Sequence, residues 1–407
     1  MALLEKGELK LLWPFYLDSL ISPMLFFAPA FWIVYFYSLN FTLFQIGTLI
    51  AIAPLTSLIF ELPTGAIADL YGRKFSVLLG FFLAGLSLLF IYFVKDFYLI
   101  ALGFGFLGFS FTLPSGAKEA WVADLIKKAD KKLMHHYFSK TQVLDGFALV
   151  ISGFLGAFLV KQLGLGIIWP VAMASFFVAV LILLFAKEDF IPRAKKHHKI
   201  FGNLKNQIKV SARYVYRHNV LFYFLIAQII LYLSAGFQSD ITWIPLMKEI
   251  GLKDYQFGYM WSALAAITMI APIFSMRFYK KRKEKIFIIF SLIISIVFSL
   301  FILAVYNLAT AFLVFLLINF FHYLKMPITR VYFHKFIPSK LRATIGSIEN
   351  MLVVAIAAIA IPVAGLFADK ISPRYAIFFG GILMIPAIFL YLKIKERKNG
   401  PRNPKAV

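Results

Sequence analysis

The sequence predicts an all-α membrane protein with twelve transmembrane helices in two pseudo-symmetric six-helix bundles. Three observations predict it. The 407-residue chain is 61% hydrophobic and only 15% charged, and its mean hydropathy is +0.83. Apolar runs of about 20 residues or more, the length that crosses a hydrocarbon core, recur throughout. They lack the alternating polarity of membrane barrel strands. The longest polar segment lies near the middle and divides the spans six and six.

The spans are expected at about 11–37, 43–68, 75–94, 97–124, 134–160, 166–186, 217–247, 256–278, 286–306, 309–336, 341–368 and 374–393. This gives an N-terminal bundle (1–187), a basic linker (188–216) and a C-terminal bundle with a basic tail (217–407). Within the linker, "IFGNLKNQIKVSARYVYR" sets apolar residues at near-helical spacing among basic ones. Such a segment reads either as an amphipathic helix on the membrane surface or as a solvated linker. "APA" at 28–30 has the look of a signal cleavage site, but the apolar stretch around it carries Asp18 and continues past it. It reads as the first span.

Charge sets the orientation. With both termini cytoplasmic, the inner segments hold 32 Lys and Arg, the outer ones 6, and the spans 4. Positive residues concentrate on the cytoplasmic side of multi-pass proteins. The same bias explains a net charge of +23 without nucleic acid. A multi-pass plasma-membrane protein, working as a monomer in the lipid bilayer, is expected. The second and eighth spans both end in basic turns, "DLYGRK" and "RFYKKRKEK". Internal repetition of this kind is a mark of secondary transporters.

No enzyme motif stands out. The chain has no G-x-x-x-x-G-K-[S/T] phosphate loop, no HExxH and no G-x-S-x-G. It has no Cys, which removes thiolate metal sites and thiol nucleophiles. His135 and His136 sit at a helix start beside four Lys, an interfacial position. No cofactor, metal or catalytic residue is expected, and transport would run on an ion or solute gradient.

Ten ionisable residues fall inside the spans: Asp18, Glu61, Lys118, Glu119, Lys140, Asp145, Asp240, Lys325, Arg330 and Glu349. Each costs about 2.5–3.5 kcal/mol at the bilayer centre on insertion scales. They must therefore face water or one another, although Arg330 can snorkel from near its span end. Counting 1.5 Å per residue puts Lys325 and Glu349 at matching depth on consecutive spans, and Glu119 with Lys140 likewise. Both pairs are expected to be ion pairs. Asp18 and Glu61 find no base at matching depth. Carboxylates in apolar surroundings take and release protons near neutral pH, so these two are the favoured proton carriers.

"GAIADLYGRK" (65–74) resembles the signature loop of the major facilitator superfamily, G-x-x-x-D-x-x-G-R-[K/R], through Gly65, Asp69, Gly72, Arg73 and Lys74. "SGAKEAWVAD" (115–124) and "PSKLRATIGS" (338–347) resemble the fourth and eleventh spans of a drug–proton antiporter branch. The chain departs from that branch in having no Arg within its fourth span. The resemblance implies a conformational latch. Asp69 would face the start of the eleventh helix near Arg342, and Arg73 would reach Asp124. Gly65 would allow close helix contact and Gly72 a tight turn.

Aromatics form 18% of the chain. Trp13, Phe15 and Tyr16 lie near Asp18, and Phe237 and Trp243 flank Asp240; helix packing or a solute cavity accounts for them. Surplus acids with aromatics suit hydrophobic or cationic solutes. The expected function is proton-coupled efflux of such compounds by alternating access. Lys118, Lys140 and Lys325 keep uptake or exchange of an anionic metabolite or oxyanion open. An intramembrane enzyme and a receptor-like binding protein are the further alternatives.

Overall fold

The computed structural model describes residues 8–129, 133–188, 200–279 and 283–395. Much of the expected basic linker (189–199) and the tail from 396 lie outside these residues. Among the described residues every regular element is helical. Twelve helical segments among the described residues are long and apolar enough to cross a membrane: Glu8–Ser38, Leu43–Glu61, Arg73–Phe93, Phe97–Lys127, Leu133–Leu163, Leu165–Leu184, Asn219–Glu249, Asp254–Arg277, Glu284–Ala304, Leu308–Lys335, Ser339–Lys370 and Pro373–Lys393. These are the expected spans, shifted by a few residues at their ends. The linker sequence from 200 forms a helix, Ile200–Arg217.

Local sequence fixes where several spans begin. Thr42 and Gln45 form a reciprocal capping box, the Thr hydroxyl accepting from the Gln45 N–H at 3.2 Å and the Gln side chain from the Thr42 N–H at 3.0 Å. Asp96 accepts from the N–H groups of Tyr98 and Leu99, and Asn307 from that of Thr310. Each cap satisfies donors that the first helical turn leaves unpaired. The even-numbered spans 2, 4 and 10 thus begin on side-chain caps.

The first and seventh spans are broken at comparable points, which the hydropathy pattern did not show. Span 1 runs as Glu8–Leu25, a short 3-10 turn at Ala28–Ala30, then Trp32–Ser38. Pro29 in that turn has no N–H to offer the helix ladder. Span 7 runs as Asn219–Phe237 and restarts at Asp240–Glu249. The two halves therefore repeat a broken helix at their first position. The fourth span is also split, between Phe97–Thr112 and Ala117–Ala129. Its counterpart, Leu308–Lys335, is unbroken.

The chain divides into two compact units, but not where the linker alone would cut it. The first six spans cluster together with Gly251–Ala266, the first half of span 8; the remaining spans form the second unit. The cause is close backbone contact. A Cβ on Gly153 would overlap the Gly258 carbonyl oxygen, and a Cβ on Gly258 would overlap that of Gly153. Beside them the Ser262 hydroxyl donates to the Val150 carbonyl at 2.6 Å. The Lys161 ammonium lies 5.4 Å from the Tyr255 ring centroid.

Candidate functional site

Three helices of the first unit bring charged groups together. Asp18, from Glu8–Leu25, is 2% exposed and pairs with Lys118 at 2.5 Å. The Ser22 hydroxyl, one turn further on, donates to the same carboxylate at 2.6 Å. Lys118 belongs to the first turn of Ala117–Ala129, placed there by the break in span 4. Asp145, from Leu133–Leu163, lies beside Ser19 and within electrostatic range of both Lys118 and Asp18. One ammonium thus faces two carboxylates. Sequence depth gave Asp18 no base; the structure corrects this. Lys118 reaches Asp18 because the split in span 4 redirects the chain.

A second cluster lies nearby in the same unit. Lys140 donates to both carboxylate oxygens of Glu8 at 2.7 Å, and the Tyr16 hydroxyl donates to the same acid. Glu8 is fully buried. The expected Glu119–Lys140 pair does not form: Glu119 is exposed, and Lys140 turns to span 1 instead. Glu61 is exposed as well.

The loop of 65–74 is fastened within its own unit. Gly72 sits at φ 103°, a backbone conformation open mainly to glycine. It lets Leu43–Tyr71 end and Arg73–Phe93 start with a single residue between them. The Arg73 guanidinium donates to Asp124 and to the Ala120 carbonyl. The Arg73 and Lys74 N–H groups donate to Glu188 at 2.6 and 3.0 Å. A carboxylate at a helix N-terminus satisfies open donors and meets the positive end of the helix. Lys74 donates to the carbonyls of Leu184 and Ala186 at 2.7 and 2.8 Å, so span 6 ends against this turn. Asp69 is exposed on the last turn of its helix, and Arg342 is exposed at the start of Arg342–Lys370. Gly65 departs from expectation. A Cβ there would meet no atom within 4 Å, so no close helix contact depends on it.

In the second unit the expected Lys325–Glu349 pair does not form. Lys325 is 8% exposed and lies 3.2 Å from His322 Nδ1, on its own helix. Glu349 is instead in electrostatic range of Arg330 and Tyr232. Equal depth on consecutive helices does not make two side chains point at each other. Asp240 opens the restarted helix of span 7, where the helix N-terminus favours a carboxylate. It lies within electrostatic range of Tyr323. No group of three or more His, Asp and Glu able to hold a metal occurs among the described residues.

Comparison with known proteins decides the family. The Major Facilitator Superfamily profile matches residues 19–360. The chain belongs to the major facilitator superfamily. An uncharacterised MFS-type transporter of Bacillus subtilis strain 168, YxaM, is 23% identical over 381 residues, covering 90% of each chain. Among solved structures, a bacterial homologue of the iron transporter ferroportin, inward-facing, aligns with a TM-score of 0.72 at 16% identity, covering 95% of this chain and 98% of that one. An auto-inhibited peptide transporter of the POT family aligns with a TM-score of 0.71 at 11% identity, covering 97% and 98%. At such identities the structural matches establish the fold alone. The chain is a multi-pass membrane transporter of this superfamily and not an enzyme.

In this transporter the aromatic candidates are engaged with other rings or side chains. Phe15 packs edge-on to Trp121 at 4.9 Å, and Tyr16 is bound to Glu8. Trp13 lies against Phe185 at 6.0 Å and is partly exposed. Phe237 packs on Phe379 and Phe367, and Trp243 edge-on to Phe315. Sequence reasoning missed three residues. Glu8 fell just before the expected first span, although it shares a helix face with Leu12, Phe15 and Ser19. Glu188 is an acid directly after a span end on the basic side, a visible anomaly. His322 stands three residues before Lys325, the spacing of helix neighbours.

Proposed function

We propose that this superfamily member is a proton-coupled secondary transporter of small solutes, working by alternating access in the plasma membrane with both termini cytoplasmic. The Lys and Arg bias of the sequence supports the orientation. The observation that carries the coupling is the set Asp18, Lys118 and Asp145. A single ammonium matches only one of these two neighbouring carboxylates, and the surplus acid is the feature a proton carrier requires. Of the two carriers favoured by sequence, Asp18 stays in this role through Lys118. Glu61, exposed and outside the cluster, has less support than Asp145.

Two solute classes compete. Efflux of hydrophobic or cationic compounds draws on the surplus of acids, with Glu61 and Glu119 exposed. The packing of its aromatic candidates weakens it. An anionic metabolite or oxyanion is favoured by one specific observation: Lys118 and Lys140 are ion-paired, whereas Lys325 has no carboxylate within 4.0 Å among the described residues.

The test is solute accumulation in liposomes containing the purified protein, with and without a protonophore. Accumulation driven by a pH gradient and collapsed by the protonophore is expected. Accumulation indifferent to the protonophore contradicts proton coupling.

A further inference from the structure

Four bases lie inside the spans, and three have an acid. Lys118 meets Asp18, Lys140 meets Glu8, and Arg330 lies in range of Glu349. Of the four, among the described residues, Lys325 has neither a carboxylate within ion-pair distance, as Lys118 and Lys140 have, nor one in electrostatic range, as Arg330 has. Its position gives it no easy escape. It is ten residues from the end of Leu308–Lys335, roughly 15 Å along the axis at 1.5 Å per residue, which is beyond the reach of a snorkelling stem. It is 8% exposed. An unpaired buried ammonium is expensive, and such groups inside membranes mark solute or ion pathways.

The surroundings are built to present donors. An ammonium only donates, so His322 Nδ1, 3.2 Å from Lys325 Nζ, is the acceptor. The ring proton is then on Nε2, a second donor. Lys325 keeps two further N–H groups. The stripe is held in place locally: the Thr329 hydroxyl donates to the Lys325 carbonyl at 2.9 Å and the Asn319 amide to the Phe315 carbonyl at 2.9 Å. Asn319, His322, Lys325 and Thr329 recur at spacings of three and four and share one helix face. A positive charge and a neutral N–H donor side by side, with no acid to match, are complementary to a carboxylate or a phosphate-like oxyanion.

We propose that Lys325 and His322 form the subsite that holds the anionic group of the transported solute. The inference rests on the transporter reading above and assigns it a solute chemistry: a small carboxylate or oxyanion, bound by the Lys325 ammonium and the His322 Nε2–H. Lys118 and Lys140 are already neutralised and are not part of it.

The test is thermal unfolding of the purified full-length protein in detergent, with benzoate, succinate and inorganic phosphate as probes. Benzylamine and benzyl alcohol are the cationic and neutral controls. Ligand binding to the folded state raises the midpoint saturably, and at least one anion is expected to do so. Lys325→Met should weaken the apparent affinity about tenfold or more, the cost of losing a charge-assisted bond; Lys325→Arg should retain binding. Without probe, Lys325→Met should unfold at or above the wild-type midpoint, because it removes an uncompensated charge, whereas Lys118→Met should unfold below it. The proposal is overturned if only benzylamine stabilises, if no anion does, if Lys325→Met keeps wild-type anion affinity, or if it unfolds as early as Lys118→Met. No proton gradient enters this assay. Its failure leaves the coupling reading intact, and loss of coupling elsewhere leaves this subsite intact.

Discussion

The side chains of the first unit sort into structural and working charges by how completely they are matched. Glu8 is fully buried and receives Lys140 on both oxygens as well as Tyr16. Matched this well, it holds span 1 to span 5. Glu8→Gln strands the Lys140 ammonium and should destabilise the protein by roughly 3–5 kcal/mol, the range for breaking a buried pair; chemical unfolding in mixed micelles measures it. Asp18→Asn should cost less, because Asp145 remains near Lys118. Equal losses for the two variants would show that Asp145 does not compensate Lys118. Sequence revealed which residues were charged and out of place, but not who meets whom. Depth along a helix follows from residue counting; the direction of the side chain around the axis does not. That is why Lys325 and Glu349, level with each other, have different partners. Glu8 differs in kind: it precedes the apolar run expected at 11–37, although the helix begins at it.

Among the helices, the spans themselves were legible because a bilayer demands about 20 apolar residues from each. The breaks were not. Those in spans 1, 4 and 7 leave hydropathy unchanged and depend on local backbone conditions such as Pro29 or the turn before Ala117. The break in span 4 matters to the proposed coupling because it sets Lys118 at a helix start facing Asp18. The start of span 3 depends on Glu188. Glu188→Ala removes the acceptor for two N–H groups and should lower stability by about 1 kcal/mol, the usual value of an N-terminal cap; the shift in thermal midpoint reads it. Gly258→Val tests the contact of spans 5 and 8. The obstacle there is the Gly153 backbone, which cannot rotate away. A loss of about 1–3 kcal/mol is expected from overpacking, and unchanged stability would mean the helices separate freely.

Across the whole molecule the two units carry different sets of charges. The first concentrates acids around Lys118 and fastens the signature loop to spans 4 and 6. The second keeps Lys325 beside His322 without an acid. On the proposed reading, proton movement belongs to the first and solute charge to the second. The superfamily was readable from Asp69, Gly72, Arg73 and Lys74 because that loop has an unusual residue pattern at a fixed place in the span order. The fastening of Arg73 and Lys74 to Glu188, Leu184 and Ala186 was not readable, since it joins residues more than a hundred positions apart. Proton flux separates this account from others. In liposomes loaded with a pH-sensitive dye, an anion that stabilises the purified protein should drive lumenal pH changes through the wild type. Asp145→Asn, which leaves the Asp18–Lys118 pair matched one to one, should bind the same anion with unchanged affinity yet move no protons with it. Wild-type proton flux through Asp145→Asn would contradict the account.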